Sequence, residues 1–382
     1  MGNVTQTPIR DVEAGSTGSA PPATRTGRNL EGHRWVSRPE EAFTPEALKD
    51  RLIGNIRSWR DYPPALRLWF WLIPAITAAI GGVLRFVRLD SPRNLVFDET
   101  YYVKDGYSFL VSGYERAWPD KANEAFVAGN PGVLLDSPEY VVHPPVGKWM
   151  IAAGMWFFGP DNPFGWRFGA ALTGTLSIFL LALIAQKLFR SLTLGAVAGV
   201  LLAVDGHHLV MSRTSLLDIF LMFWVLAAFG ALLMDRDDGR RRLAVRLGRQ
   251  AASSPDGRPG LLQLASGPWL GIRWWRLAAG VCLGLAVGTK WSALFFLAGF
   301  GLLTVFWDLS ARRIAGIHGW ISGGILKDGI PAFLSIVPVA ALVYAASWTG
   351  WFRSRDAYFR NWAATVPSAE WGWLPDAVRS LA

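Results

Sequence analysis

The sequence predicts an all-α polytopic membrane protein with about seven transmembrane helices. Three observations lead to this fold class. Only 18% of the 382 residues are charged, whereas soluble domains contain about 25%. Hydrophobic residues make up 51% of the chain and are gathered in long uncharged runs, and a helix needs about 20 such residues to cross a bilayer. Lys and Arg cluster on alternate connections between these runs, as the positive-inside rule predicts for a multi-pass protein.

The first 65 residues are polar and lack the apolar core of a secretory signal. We predict that this segment is a cytoplasmic tail, disordered over most of residues 1–40. A short surface helix is predicted at residues 39–56.

The uncharged runs between residues 66 and 351 predict seven spans. In order they are residues 66–87, 167–185, 192–210, 215–234, 277–289, 291–307 and 330–351. The third and fifth are short for a span, and the fifth and sixth meet at Lys290 with almost no loop. A further apolar stretch at residues 149–160 is too short to cross, so we predict an interfacial helix there.

The distribution of Lys and Arg predicts the orientation of these spans. With the N-terminal tail in the cytoplasm, the connections after spans two, four and six are also cytoplasmic and hold most of the basic residues, including nine Arg in the loop 235–276. The short outer turns contain only Arg213 and Lys290. The net charge of +9 is therefore interpreted as a topology signal, and no nucleic-acid partner is expected.

This orientation places residues 90–164 outside the cell as one long acidic loop. It holds ten Asp or Glu residues against five Lys or Arg. A connection of this length is uncommon without a function of its own. We predict helices at residues 101–111 and 146–158 within it.

Two motifs in this loop carry candidate functional residues. Asp98 and Glu99 are adjacent carboxylates, so repulsion between them can raise one pKa and create a general base; the alternative is that one of them caps the following helix. His143 is followed by two prolines and then by Lys148. The side chain of Lys148 would place a cation near lipid head groups. The alternative there is a rigid turn with a lysine that reaches the interface.

Further ionisable residues lie at the predicted outer ends of spans: Arg167, Asp205, Arg213, Asp218 and Lys290. Charges beside membrane helices are costly and are functional candidates. The three cations share a membrane face with Asp98, an arrangement suited to an anionic lipid head group. The alternative is a structural ion pair between Arg213 and one of the two aspartates. A metal site at His207 and His208 is not expected, because no cysteine or suitably spaced carboxylate accompanies them.

Together these motifs resemble the protein O-mannosyltransferases, multi-pass enzymes with the GT-C type of membrane fold. The matching pieces are Phe97-Asp98-Glu99-Thr100-Tyr101-Tyr102, His143-Pro144-Pro145 with Gly147-Lys148, Gly165-Trp166-Arg167, Ser212-Arg213 with Leu217-Asp218, and Thr289-Lys290-Trp291. Their order and spacing match from about residue 66 to the end. The composition of the tail and of the Arg-rich loop resembles that of actinobacterial members.

The resemblance implies a glycosyltransferase of the cell membrane that transfers mannose, with inversion, from a polyprenyl phosphomannose to Ser or Thr hydroxyls. The acceptor would be a secreted polypeptide met at the outer face, in some cases with the translocon as a partner. Asp98 would be the general base, and Glu99 would help to hold the acceptor. Arg167, Arg213 and Lys290, with His143 nearby, would neutralise the lipid phosphate. The phosphate already activates the donor, so this chemistry requires no divalent metal or other cofactor.

Two features leave other interpretations open. Family members usually continue with further spans, so residues 352–382 are interpreted as the start of a second outer segment and the chain as a fragment or truncated product. The residues alone do not fix the sugar, and a related transferase could move arabinose or aminoarabinose to lipid or glycan. A transporter is a further alternative, but the ionisable residues collect at one membrane face and no internal repeat is found. A purely structural anchor would leave the acidic loop unexplained.

Overall fold

The computed structural model describes residues 43–54, 62–132 and 134–360. Within these ranges the chain is almost entirely α-helical, with a single isolated β-bridge between Arg116 and Pro138. The segment predicted to be disordered, residues 1–40, lies outside the described residues, as does the end of the predicted second outer segment, residues 361–382.

The helices of the described residues are α1 Pro45–Leu52, α2 Pro64–Phe86, α3 Glu99–Ser112, α4 Ala122–Val127, α5 Val146–Phe158, α6 Pro163–Phe189, α7 Leu192–Val204, α8 Gly206–Met211, α9 Leu217–Ala252, α10 Leu261–Ser266, α11 Trp274–Val287, α12 Ala293–Ile314, α13 Trp320–Gly324, α14 Ile330–Ser347 and α15 Thr349–Arg353. A π-helical turn, Ile325–Gly329, joins α13 to α14.

The apolar helices confirm the predicted multi-pass, all-α fold. Five helical stretches are long and apolar enough to cross a membrane: α2, α6, α9, α12 and the continuous stretch Trp320–Ser347. Two shorter apolar helices, α7 and α11, lie between them in the chain. In order along the chain, these seven elements correspond to the seven runs that the sequence indicates.

Two boundaries differ from the sequence prediction for identifiable reasons. The third run divides into α7 and α8 because Asp205 caps a new helix, its Oδ1 accepting the His208 backbone N–H at 2.7 Å. Residues 235–252, expected to form part of a loop, instead continue α9. Leu243 and Leu247 of this extension pack against Leu48 and Leu52 of α1, so an apolar face is present within the Arg-rich sequence.

Successive spans run in opposite directions, which brings the end of α2, the start of α6, the start of α9 and the junction of α11 with α12 together. Contacts between these ends are direct. Arg213, just before α9, donates to four carbonyls at and just beyond the end of α2. The Val146 N–H at the start of α5 donates to the Gly288 carbonyl after α11 at 2.8 Å.

The opposite end of the bundle is held by buried ion pairs. Asp235 of α9 binds Arg273 at 2.6 Å and Arg276 at 3.1 Å. Asp308 of α12 binds the same two arginines at 2.8 and 2.6 Å. Arg312 binds Asp328 of the π-helical turn at 2.5 Å. Equal numbers of Asp and Arg in this network compensate the cost of burying each charge.

Residues 90–164 form a folded layer on the end of the bundle that carries Arg213. The two helices predicted in this segment correspond to α3 and α5, and α4 lies between them. Phe126, Ile151 and Trp166 are buried in one core with Leu217 and Phe220 of α9. This core fixes the acidic segment against the spans.

Glycines at the start of α6 allow α5 to approach closely. A Cβ on Gly165 would overlap the Gly159 carbonyl, and one on Gly169 would overlap that of Met150. These two glycines flank Arg167, so the close helix contact determines where that side chain lies.

Candidate active site

Two neighbouring carboxylates at the start of α3 lie in contrasting environments. Glu99 is fully buried and forms a bidentate pair with Arg167: Nε donates to Oε1 and Nη2 to Oε2, each at 2.8 Å. Glu99 Oε1 also accepts the Ser215 backbone N–H at 2.8 Å, and Oε2 accepts the Val96 N–H at 2.9 Å. Both oxygens of Glu99 are therefore fully engaged within the protein.

Arg167 uses its remaining donors on the backbone after α2. Its guanidinium donates to the carbonyls of Leu89, Pro92 and Asn94 at 3.3, 2.7 and 3.0 Å. The side chain is 1% exposed. The resemblance implies contact between Arg167 and the lipid phosphate and between Glu99 and the acceptor. The geometry instead favours a positioning role for both, because each is saturated by contacts within the chain.

Asp98, one residue earlier, remains open. It occupies the N-cap position of α3, but its side chain makes no capping hydrogen bond. Among the described residues its carboxylate, which is half-buried, has no hydrogen-bond or ion-pair partner. The helix-cap alternative therefore does not apply to the Asp98 side chain, and the carboxylate is available to accept a proton.

Tyr102 and His143 lie close to Asp98. Their ring centroids are 6.0 Å apart. Burial, with the charges of Asp98 and Asp218, raises the pKa of Tyr102 to about 12, so its hydroxyl keeps its proton. Burial, with the charges of Lys290 and Lys148, lowers the pKa of His143. His143 is therefore neutral at neutral pH, and it adds hydrogen-bonding capacity to the site but no positive charge.

Lys290 supplies a partly exposed cation to this cluster. Its Nζ donates to Asp218 Oδ1 at 2.9 Å, and the two side chains are 28% and 49% exposed. Both residues act electrostatically on His143, as does Asp98. An incoming anion can therefore reach Lys290 without disrupting a buried contact. We define Asp98, Tyr102, His143, Asp218 and Lys290 as the open cluster.

Lys148 lies outside the open cluster, in a buried ion triad. Its Nζ binds Asp105 of α3 at 2.9 Å and Glu115 at 2.8 Å, and the Lys148 side chain is 0% exposed. Burial disfavours the ammonium, but the two carboxylates more than compensate and raise the pKa of Lys148. The prediction of a cation that reaches lipid head groups is therefore not supported, because the Lys148 side chain is buried against Asp105 and Glu115.

Glu139 lies beside this triad and was not identified from the sequence. Burial, with the nearby charge of Asp105, raises the pKa of Glu139 to about 7. Its Oε2 is buried without a hydrogen-bond partner among the described residues. The sequence signal was weak, since Glu139 stands alone in an irregular segment.

Arg213 also has a different environment from the one expected. Its guanidinium donates to the carbonyls of Leu84, Arg85, Val87 and Arg88 at 2.8–3.0 Å. Asp205 caps α8 and Asp218 binds Lys290, so the suggested pairing of Arg213 with either aspartate is wrong. Arg213 instead satisfies backbone acceptors at the end of α2, where a helix leaves carbonyls unpaired.

Comparison with known proteins supports the resemblance that these motifs indicate. Residues 75–242 match the family model for dolichyl-phosphate-mannose-protein mannosyltransferase. The chain is 38% identical over 356 residues to polyprenol-phosphate-mannose–protein mannosyltransferase of Mycobacterium tuberculosis, covering 90% of this chain and 61% of the relative. It is 39% identical over 290 residues to the Corynebacterium glutamicum protein of the same name, covering 75% and 52%.

A structural comparison finds the archaeal oligosaccharyltransferase AglB of Archaeoglobus fulgidus, with a TM-score of 0.42 and 17% identity. The match covers 76% of this chain and 35% of that one.

The match to the family model includes Asp98, Glu99, His143 and Arg167, whereas Lys290 lies beyond it. The similarity to the two actinobacterial relatives extends over most of the chain, although this chain spans only 61% and 52% of their lengths. The five motifs in order, the match to the family model over residues 75–242 and the identity to the two relatives all relate this chain to the protein O-mannosyltransferases.

Proposed function

We propose that this protein transfers mannose from a polyprenyl phosphomannose to Ser or Thr hydroxyls of translocated polypeptides. The observation that carries the proposal is the open carboxylate of Asp98 in one cluster with the accessible cation Lys290. The names of the two relatives, which specify a polyprenol-phosphate-mannose donor and a protein acceptor, support the substrate classes.

In the proposed reaction Asp98 removes the proton of the acceptor hydroxyl as its oxygen attacks the anomeric carbon of mannose. A glycosidic C–O bond forms while the bond from that carbon to the phosphate oxygen breaks. The electron pair of the broken bond leaves with the polyprenyl phosphate. Because the acceptor oxygen displaces the phosphate in a single step, the configuration of the anomeric centre is inverted.

Lys290 stabilises the negative charge that develops on the departing phosphate, because a fixed cation at a site of charge development lowers the barrier. Its pairing with the exposed Asp218 compensates the ammonium until the phosphate of the donor takes the place of the carboxylate. The neutral His143 and the protonated Tyr102 provide hydrogen-bonding groups that do not compete with the phosphate for Lys290. Glu99 and Arg167 fix the backbone on either side of Asp98.

The proposal includes an orientation. The open cluster faces the outside of the cell, and the N-terminus lies in the cytoplasm, as the alternation of Lys and Arg between connections indicates. Acceptor chains then meet Asp98 as they emerge from the membrane, and the translocon that delivers them is a neighbour of the protein in this proposal.

A transferase of another sugar is the second candidate. The chain is 35% identical over 161 residues to undecaprenyl phosphate-alpha-4-amino-4-deoxy-L-arabinose arabinosyl transferase of Pseudomonas aeruginosa, covering 26% of that protein. This relationship extends over less of the chain than that to the mannosyltransferases. Purified protein offered polyprenyl phosphates carrying either sugar, with peptide and lipid acceptors in parallel, distinguishes the two candidates.

The decisive test compares wild type with Asp98→Asn, each expressed in membranes supplied with polyprenyl phosphomannose and a Ser/Thr peptide. We expect mannose transfer to fall by about 10²–10⁴-fold, the usual contribution of a general base. Glu124→Gln is the matched control, since this exposed acid lies in the same segment and should leave transfer unchanged. Normal transfer by Asp98→Asn would remove Asp98 from the mechanism.

A further inference from the structure

An apolar cavity of about 420 Å³ lies between α2, α6, α9 and α11, away from the open cluster. Its wall includes Phe70, Trp71, Leu183, Met234 and Trp275. All four helices belong to apolar elements of the bundle. A cavity with this lining suits a hydrocarbon chain better than a polar metabolite.

Gln186 marks the polar end of the cavity. It lines the cavity and is 0% exposed, yet neither its side-chain oxygen nor its nitrogen has a hydrogen-bond partner among the described residues. An unpaired buried amide costs on the order of 1–3 kcal/mol. Because both amide atoms are inaccessible and the side chain packs against Gly195 of α7, Gln186 forms part of the wall and is not itself a ligand contact.

Cations surround the same end. Lys187 and Arg190 line the cavity beside Gln186. Lys187 and Arg236 both pair with Asp237, at 2.6 and 3.2 Å. Arg190 is exposed, and its guanidinium has no hydrogen-bond partner within the described part of the chain.

Arg240 adds a further positive charge near Arg190, with which it interacts electrostatically. Its buried Nε has no partner among the described residues. Asp308, a carboxylate that also acts on Arg240, is already bound by Arg273 and Arg276. Positive charge therefore exceeds the negative charge available to compensate it at this end of the cavity.

This end of the cavity is far from the open cluster. Lys187 follows Arg167 by 20 residues in the same helix, α6, which corresponds to about 30 Å along its axis. That separation matches the ~30 Å hydrocarbon thickness of a bilayer. The cationic end therefore lies at the membrane surface opposite to the candidate active site.

We propose that this cavity binds an anionic phospholipid of the bilayer. One acyl chain occupies the apolar cavity between α2 and α9, and the phosphate contacts Arg190 and Lys187 at its cationic end. Basic pockets between membrane helices bind anionic head groups in this way. The site is separate from the one proposed for the sugar donor, and it does not depend on the proposed transfer reaction.

The chain provides an internal control for this proposal. A second cavity of about 480 Å³ lies between α12 and α14 and is lined by aliphatic and aromatic residues and glycine, without a charged side chain. Ala227 lines the first cavity and Ala298 the second. Ala227→Phe and Ala298→Phe therefore fill cavities of similar size that differ in their charge.

The test is native mass spectrometry of the detergent-purified protein titrated with phosphatidylglycerol, phosphatidylcholine of the same chains, or farnesyl phosphate. We expect phosphatidylglycerol to bind most tightly and Ala227→Phe to abolish that binding, while Ala298→Phe leaves it intact. Arg190→Ala should weaken binding roughly fivefold, the effect of one basic residue near an anionic head group. Arg249→Ala, at an exposed position in the α9 extension, should have no effect.

Arg190→Glu keeps the proposal testable if Ala227→Phe unfolds. It replaces an exposed side chain, so the lipid-free protein should be as stable as wild type, while phosphatidylglycerol should bind more weakly than it does to Arg190→Ala. Equal affinity for the two phospholipids, or an unchanged affinity in both Arg190→Ala and Arg190→Glu, would overturn the proposal. Preferential binding of farnesyl phosphate would assign the cavity to a polyprenyl phosphate instead.

Discussion

The guanidinium of Arg167 and the carboxylate of Glu99 form two parallel hydrogen bonds of 2.8 Å in the interior of the protein. This pair connects three parts of the chain, because Arg167 also binds carbonyls after α2 and Glu99 also binds the Ser215 N–H before α9. Asp98 is adjacent to Glu99 in the chain, so the pair fixes the backbone that carries the candidate base. Two adjacent acids thereby have different tasks, one structural and one chemical.

Glu99→Gln should destabilise the protein and reduce transfer together. Removal of one partner from a buried ion pair costs about 3–5 kcal/mol, because the other charge remains buried and uncompensated. We therefore expect a lower thermal midpoint in detergent and a lower kcat, whereas Asp98→Asn should reduce kcat without lowering the midpoint.

Arg167→Lys separates charge from geometry in the same pair. Lysine keeps the positive charge but cannot form the bidentate contact or reach all the backbone carbonyls, so we expect a partial loss of stability.

If Glu99→Gln keeps its thermal midpoint and only raises KM for the peptide, Glu99 contacts the acceptor and the positioning role is wrong.

The sequence predicted much of the fold because the dominant signal, uncharged length, directly reports membrane crossing. The seven apolar runs correspond in order to α2, α6, α7, α9, α11, α12 and α14. The failures occurred where polar chemistry determines the structure. Asp205 divides one run by capping α8, and Leu243 and Leu247 extend α9 through a segment dominated by arginine.

The site was harder to predict than the fold, because the sequence does not show whether a charged side chain is paired with another residue or free. Lys148 was assigned to the membrane surface because its partners, Asp105 and Glu115, are distant in sequence. The residue pattern alone did not distinguish Glu99 from Asp98, because the contacts that occupy Glu99 come from Arg167 and Ser215. Only tertiary structure shows which of the acids is already engaged.

Lys148→Met should destabilise the protein strongly. The change leaves Asp105 and Glu115 buried without their cation, which costs about 3–5 kcal/mol. Neutralisation of all three positions, as Asp105→Asn, Glu115→Gln and Lys148→Met together, should recover much of the lost thermal stability. If Lys148→Met instead has normal stability and a raised KM for the donor, Lys148 contacts the lipid phosphate.

Glu139 predicts a dependence of stability on pH. Its pKa is about 7 in the folded protein against an ordinary value of 4.5, so between these values the folded state binds more protons than the unfolded state. Its contribution to the free energy of unfolding therefore falls as pH rises from about 4.5 to 7, and it is constant above that range. Thermal midpoints across this interval should decline less in Glu139→Gln than in wild type. Equal slopes would show that Glu139 ionises normally, and Glu124→Gln should retain the wild-type slope.

Lys290→Met should weaken use of the donor without affecting the fold. Its side chain is partly exposed and binds Asp218 at the surface, so its removal leaves no buried charge unpaired and the thermal midpoint should be unchanged. A hydrogen bond to a charged group contributes about 1.5–3 kcal/mol, which corresponds to a fall of about 10–100-fold in kcat/KM for polyprenyl phosphomannose. Lys121→Met, at an exposed position in the same acidic segment, is the matched control and should retain wild-type kinetics.

Asp218→Asn frees the ammonium, so it should leave donor affinity unchanged or increase it. If Asp218→Asn and Lys290→Met instead cause equal losses of kcat/KM, the two residues act as one structural pair, and another cation must stabilise the phosphate.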